Sequence, residues 1–301
     1  MMPAARAVAL FCAFGLSIAA TSVYAQSPQI AFTWDDLPAH NTLPATTTRV
    51  EIGRKITAAM KVAKLPPIYG FVNGVQLTNE PLSEPMLREW RESGNLLGNH
   101  AYSHMDLNKR PVEDWEADVL KNEPVLEKYA GSSDWHWMRF PFLSEGNTPE
   151  KRAAARKFLA EHGYKIAAVT IDFSDYAYSD PYARCVAKKD DAGVAQLAAE
   201  YLKMADAGID YARGVAKARY GRDIPYVLLM HVGAFDAEML PRLLALYKSR
   251  GFTFVSLEEA EKDPVYATDL NPALPEPEWK APLSPLPEYP KRDLDLDKVC
   301  K

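Results

Sequence analysis

The feature that most constrains this chain is an alternation. Short β-rich runs take turns with helical patterns along almost its whole length. Strands are expected at residues 30–34, 68–72, 96–99, 136–140, 166–171, 226–230 and 253–256. Helical stripes fall between them: Val50, Ile56, Met60 and Ala63; then Trp115, Val119, Asn122, Val125 and Leu126, less regular; then Met239, Leu240, Leu243, Leu244 and Tyr247, stopped by Gly251. Strands that alternate with helices predict βα units around a mostly parallel sheet or barrel. With 301 residues, one large α/β domain is as compatible with the length as two smaller ones.

Two regions break the alternation. Residues 190–222 are Ala-rich, and Leu197, Tyr201, Met204, Ile209 and Tyr211 suggest one or two extra helices. From Asp263 onward the chain is rich in proline and acidic residues and lacks a period, as expected of a tail extended over a surface. At the other end, Arg6 precedes an apolar run at 7–20 that is short for a bilayer span, and Val23-Tyr24-Ala25 fits the small-x-small rule for cleavage before Gln26. The expectation is an exported protein, periplasmic or secreted, with no stable membrane insertion once the leader is removed. Cleavage would take Cys12 away and leave Cys185 and Cys300, either bonded or as two free thiols. A net charge of −5 argues against a general nucleic-acid binder.

The chemistry-bearing residues sit after the expected strands. Thr33-Trp34-Asp35-Asp36 ends the first, and two adjacent carboxylates repel each other unless something uses them; a turn or helix cap is the simpler use. His100 and His104, four apart after another strand, can face one ion if they form a helical turn. Joined to the aspartates, they give a set of two histidines and one carboxylate that leaves positions open for water and substrate. Arg139 follows a further strand, where it could fix a carboxylate by a bidentate hydrogen bond or make a surface ion pair. Asp172, with Tyr176 four residues on, follows the run at 166–171, and His231 ends the very apolar run at 226–230.

These blocks, in this order, resemble the polysaccharide deacetylase family, also called the NodB-homology or carbohydrate esterase family 4 enzymes. The resemblance runs from about Ile30 to Ala260 and rests on Thr-x-Asp-Asp, His-x-x-x-His, Arg-x-Pro-Phe and Leu-x-His taken together. It implies a distorted (β/α) barrel with an inserted helical segment at 190–222 and an extended C-terminal tail. The domain plan is then a signal peptide at 1–25, a NodB-like catalytic domain at 26–262 and a Pro-rich tail at 263–301. It also implies roles: Asp36, His100 and His104 as ligands of one divalent metal ion, usually zinc; Asp35 as general base with Arg139 as its tether; His231 as general acid with Asp172 to orient it. Tyr176 and Leu229 match the pocket for the acetyl methyl, and the backbone N–H of Phe142 matches an oxyanion donor. The implied activity is hydrolysis of N-acetyl groups on a cell-wall or extracellular glycan; no protein partner is indicated.

This chain departs from the family pattern at several points. Trp34 stands for the usual Phe, and Leu37-Pro38 for Gly-Pro, which would put a larger side chain beside the metal. Ala101 replaces a hydroxyl residue that braces the histidine loop, so the brace must come from elsewhere, and Tyr176 stands where Trp is common. Two other readings stay open: a small-molecule amide, imide or formyl hydrolase on the same scaffold, and a non-catalytic glycan-binding protein. His40, just past the aspartates, is a candidate substrate contact. His136 between two tryptophans is expected in an aromatic cluster, and His162 at a helix end.

Overall fold

The computed structural model describes residues 27–276 and 281–301. The expected signal peptide at 1–25 lies outside the described residues. Seven parallel strands form one curled sheet: β1 (Gln29–Leu37), β2 (Tyr69–Val72), β3 (Leu96–Asn99), β4 (Trp137–Met138), β5 (Lys165–Ile166), β6 (Tyr226–His231) and β7 (Thr253–Phe254). Their order is β5-β4-β3-β2-β1-β6, with β7 also pairing β1 at Gln29–Ile30. Beyond β5 the chain crosses over, and Ile171 makes a single bridge to Leu228 on β6. The sheet thus curls into an incompletely closed (β/α) barrel, the fold the sequence led us to expect.

The strands are short because side chains, as well as the ladder, use the backbone. The run expected at 166–171 leaves the sheet after Ile166: the carbonyls of Ala167 and Ala168 accept from Arg139, and the Ala168 N–H donates to Glu261. At β7, Ser256 ends the strand by capping the Leu257–Ala260 helix. Close approach of β3 to its neighbours needs glycine at 98, where a Cβ would stand 2.6 Å from the Phe71 ring and 2.9 Å from the Trp137 carbonyl.

Helices pack on the outer face. Ile52, Ile56 and Met60 of the Arg49–Val62 helix are buried, as are all five residues of the stripe 239–247 on the Ala234–Ser249 helix. The first helix carries a capping box from Thr48 and Glu51, the signal that starts it. The second ends before Gly251, whose φ of 81° is left-handed. The Ala-rich segment is one 30-residue helix, Asp191–Tyr220, capped by Asp190 and closed at Gly221. Small residues let it lie close: Ala198, Ala205, Gly208, Ala212 and Ala216 are all buried.

The tail runs back over this insertion. Leu283 N–H donates to Ala218 O, Asp293 N–H to Glu200, and Arg184 to the carbonyls of Leu296 and Val299. A Cys185–Cys300 disulfide fastens it across 115 residues, resolving the alternative the sequence left open.

Candidate active site

Strand register lines the motifs up along one edge. Asp35 on β1 is paired directly with His231 on β6, and Val72 on β2 with Asn99 on β3, the residue before His100. The carboxyl ends of parallel strands therefore carry every candidate group to the same rim. There Asp36, His40, His100, His104, Phe142, Asp172, Tyr176, Leu229 and His231 line one cleft of about 570 Å³.

One oxygen or nitrogen from each of Asp36, His100 and His104 lies within 4.8 Å of the others. Both histidine Nε2 atoms stand 3.4 Å from Asp36 Oδ1. The four-residue spacing works here without the helical turn that the sequence suggested: 100–104 is an irregular loop. Ala101 and His104 take left-handed φ of 55° and 57°, and Asp36 one of 64°. Such backbone is costly for residues with a Cβ and persists where surrounding contacts enforce it.

Those contacts are a buried amide network. Asn73 Nδ2 donates to the carbonyls of His100 and Ala101, Asn99 Oδ1 accepts from the Ala101 N–H, and the Asp118 carboxylate accepts from the Ser103 N–H. Asn122 joins them, donating to Val72 O and Asn99 Oδ1 while accepting from Gly74 N–H. This is the brace that Ala101 lacks a hydroxyl to provide.

The donor set fits a divalent cation. His100 Nδ1 is 2.7 Å from the Arg139 carbonyl, to which it donates, so Nε2 is the ring atom turned toward Asp36. Burial, with His100 alongside, lowers the His104 pKa to about 4, which leaves a neutral imidazole at neutral pH. Burial works to raise Asp36, yet hydrogen bonding to His100 and His40 keeps it well below the usual carboxylate range. Two imidazoles and one carboxylate are donor types suited to a divalent cation, which binds imidazole in the neutral form that His104 holds here.

On one flank Arg139 is almost completely buried (1% exposed) and lies over the Phe71 ring. Its Nη1 donates to Asp35 Oδ1 at 3.0 Å. This contact is single, where the sequence suggested a bidentate one, because the other N–H groups are taken by Thr33 Oγ1 and the carbonyls of Ala167 and Ala168. On the other flank the expected Asp172–His231 contact is absent. Asp175 makes it instead, accepting from His231 Nδ1 at 2.8 Å and from its backbone N–H at 2.7 Å. Asp172 lines the cleft, where burial raises its pKa, and its carboxylate caps Ser174 N–H. The left-handed Ser174, at φ 58°, turns the chain so that Asp175 points at the histidine. Burial disfavours the imidazolium, but Asp175 outweighs it and raises the His231 pKa to about 10.

His40 belongs to the site more closely than the sequence indicated. Its Nδ1 is 2.6 Å from Asp36 Oδ2 and its ring lies 4.7 Å from that of His231. Leu37 does not crowd the cleft: it is fully buried and packs on Gly70. Phe142 and Tyr176, 62% and 45% exposed, stand on the rim, with Phe142 against His104 and Tyr176 against His231. His136 stacks on Trp135, and His162 ends the Pro149–Glu161 helix, both away from the cleft.

Comparison with known proteins agrees with this arrangement. The family model described as Polysaccharide deacetylase matches residues 23–167, which carry the aspartates, the histidine pair and Arg139. A chitin deacetylase of Arthroderma benhamiae is 26% identical over 152 residues, 50% of this chain and 36% of that protein. One from Colletotrichum lindemuthianum is 32% identical over 113 residues, 37% of this chain and 43% of that protein. The chain thus spans less than half the length of the curated relatives it matches. The solved structure of the chitin deacetylase from Colletotrichum lindemuthianum superposes with a TM-score of 0.52 at 20% identity, covering 78% of this chain and 88% of that one, a likeness of fold. Motifs and sequence match agree on the polysaccharide deacetylase family, whose model matches residues 23–167 of this chain.

Proposed function

We propose that this protein is a metal-dependent hydrolase that removes N-acetyl groups from a cell-wall or extracellular glycan. The observation that carries the proposal is the convergence of the Asp36–His100–His104 donors and an Asp175-paired imidazole in one cleft, with an Arg139-held carboxylate 3.6 Å from His100 Nε2. Asp36, His100 and His104 would hold one divalent ion, with zinc suited to two imidazoles and a carboxylate. When bound, the cation supplies Lewis acidity toward the acyl carbonyl and acidifies a water.

The remaining work falls to the chain's own side chains. Asp35 accepts the proton of the attacking water, and Arg139 keeps it aimed. His231, cationic at neutral pH, donates to the departing amide nitrogen, which cannot leave unprotonated. The Phe142 N–H helps hold the oxyanion, and Leu229 with Tyr176 receives the acyl methyl. A leader at 1–25, a catalytic unit at 26–262 and a strap-like tail at 263–301 make up the proposed domain plan, and the disulfide suits export to an oxidising compartment. Among the described residues no helix is long and apolar enough to cross a membrane.

The test is acetate release from a panel of acetylated glycans and small amides, with divalent metals added. Release from glycans that is abolished by chelation and restored by metal is expected. Metal-independent release, or turnover confined to small amides, would overturn the proposal.

A further inference from the structure

Behind His231 lies a second carboxylate that no step above uses. Asp236, in the first turn of the Ala234–Ser249 helix, is fully buried, and so is Asp175. The two side chains lie within hydrogen-bond reach of each other. Tyr201 OH donates to Asp236 Oδ1 at 2.9 Å, whereas Asp236 Oδ2 receives no hydrogen bond from any described N–H or O–H. Asp175 is engaged by His231 at both oxygens. The Ser179 hydroxyl stands beside Asp236 Oδ2 without bonding to it, and a Cβ at residue 233 would collide with both, so Gly233 keeps this polar pocket open.

Two touching carboxylates in a site closed to water repel each other with little screening, and one imidazolium cannot neutralise both. A single retained proton removes the repulsion. Asp236 is the group with an idle oxygen to carry it, while Asp175 faces the histidine. We propose that Asp236 stays protonated and donates a hydrogen bond to Asp175, which makes it the positioning residue that keeps Asp175 ionised and aimed at His231. The series Tyr201–Asp236–Asp175–His231 then holds one negative charge against one positive charge. Burial, followed by the neighbouring Asp175 charge, raises the Asp236 pKa well above the carboxylate range, in line with this arrangement. The other titratable groups nearby are Tyr247 on the Asp236 helix and, around His231, Asp35, Asp36, His40, His104, Asp172 and Tyr176.

The proposal rests on the general-acid reading of His231, yet its readouts are separate from turnover. Infrared difference spectra of the purified full chain and Asp236→Asn at neutral pH detect the proton directly. The parent-minus-variant difference is expected to hold a protonated-carboxyl band, beyond any from the buried Glu261 common to both; no such band in that difference overturns the proposal. In Asp236→Leu the donor is gone, and the Asp175 charge, no longer stabilised by it, holds the His231 proton more tightly. The His231 titration, followed by NMR of labelled imidazole without substrate, should rise by about one to two pH units, the worth of a hydrogen bond to a charged group. Asp236→Asn, whose amide still donates, should restore it. An unchanged titration in Asp236→Leu refutes the positioning role, and if that variant fails to fold, the infrared band still decides. Full activity in His231→Ala would instead defeat the general-acid reading and leave both spectroscopic results standing.

Discussion

Replacement of Asp35 by Asn separates chemistry from metal binding and from folding. The amide keeps the shape of the carboxylate and an oxygen to accept from Arg139 Nη1, but it cannot take a proton from water. Loss of a general base lowers turnover about a hundred- to ten-thousand-fold, or roughly 3–5 kcal/mol of barrier. The same change removes the carboxylate that accepts from the buried Arg139 guanidinium. Breaking a buried ion pair outright costs about 3–5 kcal/mol. Here Thr33, Ala167 and Ala168 still hold the other N–H groups and the amide oxygen holds Nη1, so the loss should be nearer 1–3 kcal/mol. A domain with the usual stability of about 5–15 kcal/mol remains folded after that loss, so the rate deficit cannot be attributed to unfolding. Three measurements on one preparation separate the effects: acetate release, metal content and thermal midpoint. Normal metal content, a modest drop in midpoint and a large drop in turnover are expected. Near-parental turnover on the true substrate would show that Asp35 is not the base.

Four further outcomes are expected. Metal content of purified protein should fall in His100→Ala and His104→Ala, and equal content in parent and variants would refute the ligand set. The His231 pKa is raised from its ordinary value near 6.5 to about 10, so the stability from its ion pair with Asp175 is complete below pH 6.5 and lost as the pH climbs through 10. The alkaline limb of turnover should lie correspondingly high and disappear in His231→Ala; a limb near 6.5 in the parent would contradict the Asp175 pairing. Asn122→Leu leaves Gly74 N–H without its buried partner, while Val72 O keeps the His100 N–H, and should cost about 1–3 kcal/mol in denaturant unfolding. Replacing Cys185 and Cys300 by Ser frees a loop of 115 residues worth ~5 kcal/mol of unfolded-chain entropy. The observed loss will be smaller if the tail's own docking is weaker than that, because the tail then peels away first, and limited proteolysis would detect it.

The barrel was legible because its strands are apolar runs separated by periodic helices, and each expected run overlaps an observed strand. Strand lengths were not, since the ladder at 167–168 is diverted by Arg139 and Glu261, partners far away in sequence. The residue types of the site could be read from motifs, but which of two carboxylates reaches His231 depends on the left-handed turn at Ser174, which spacing does not announce. Asp175 sits beside Tyr176, and that adjacency was the available signal. His40 lies four residues past Asp36 across an irregular loop, where spacing carries no geometric meaning. Asn122 interrupted an otherwise apolar stripe; a polar residue on a buried face was the visible mark of the amide brace.

The position of β1 inside the sheet, between β2 and β6, also dictates an order of assembly. Its β2 edge can be filled early, but its other edge waits for β6, and the Thr33–Leu228 hydrogen bond closes a separation of 195 residues. As a chain lengthens from its N-terminus, β1 therefore exists for most of synthesis as an apolar strand paired along one edge only. Contacts so distant along the chain form slowly, and open edges invite pairing with other molecules. A fragment ending near residue 167, although it carries all three candidate metal ligands, would leave that edge uncovered and should aggregate rather than bind metal as a folded unit.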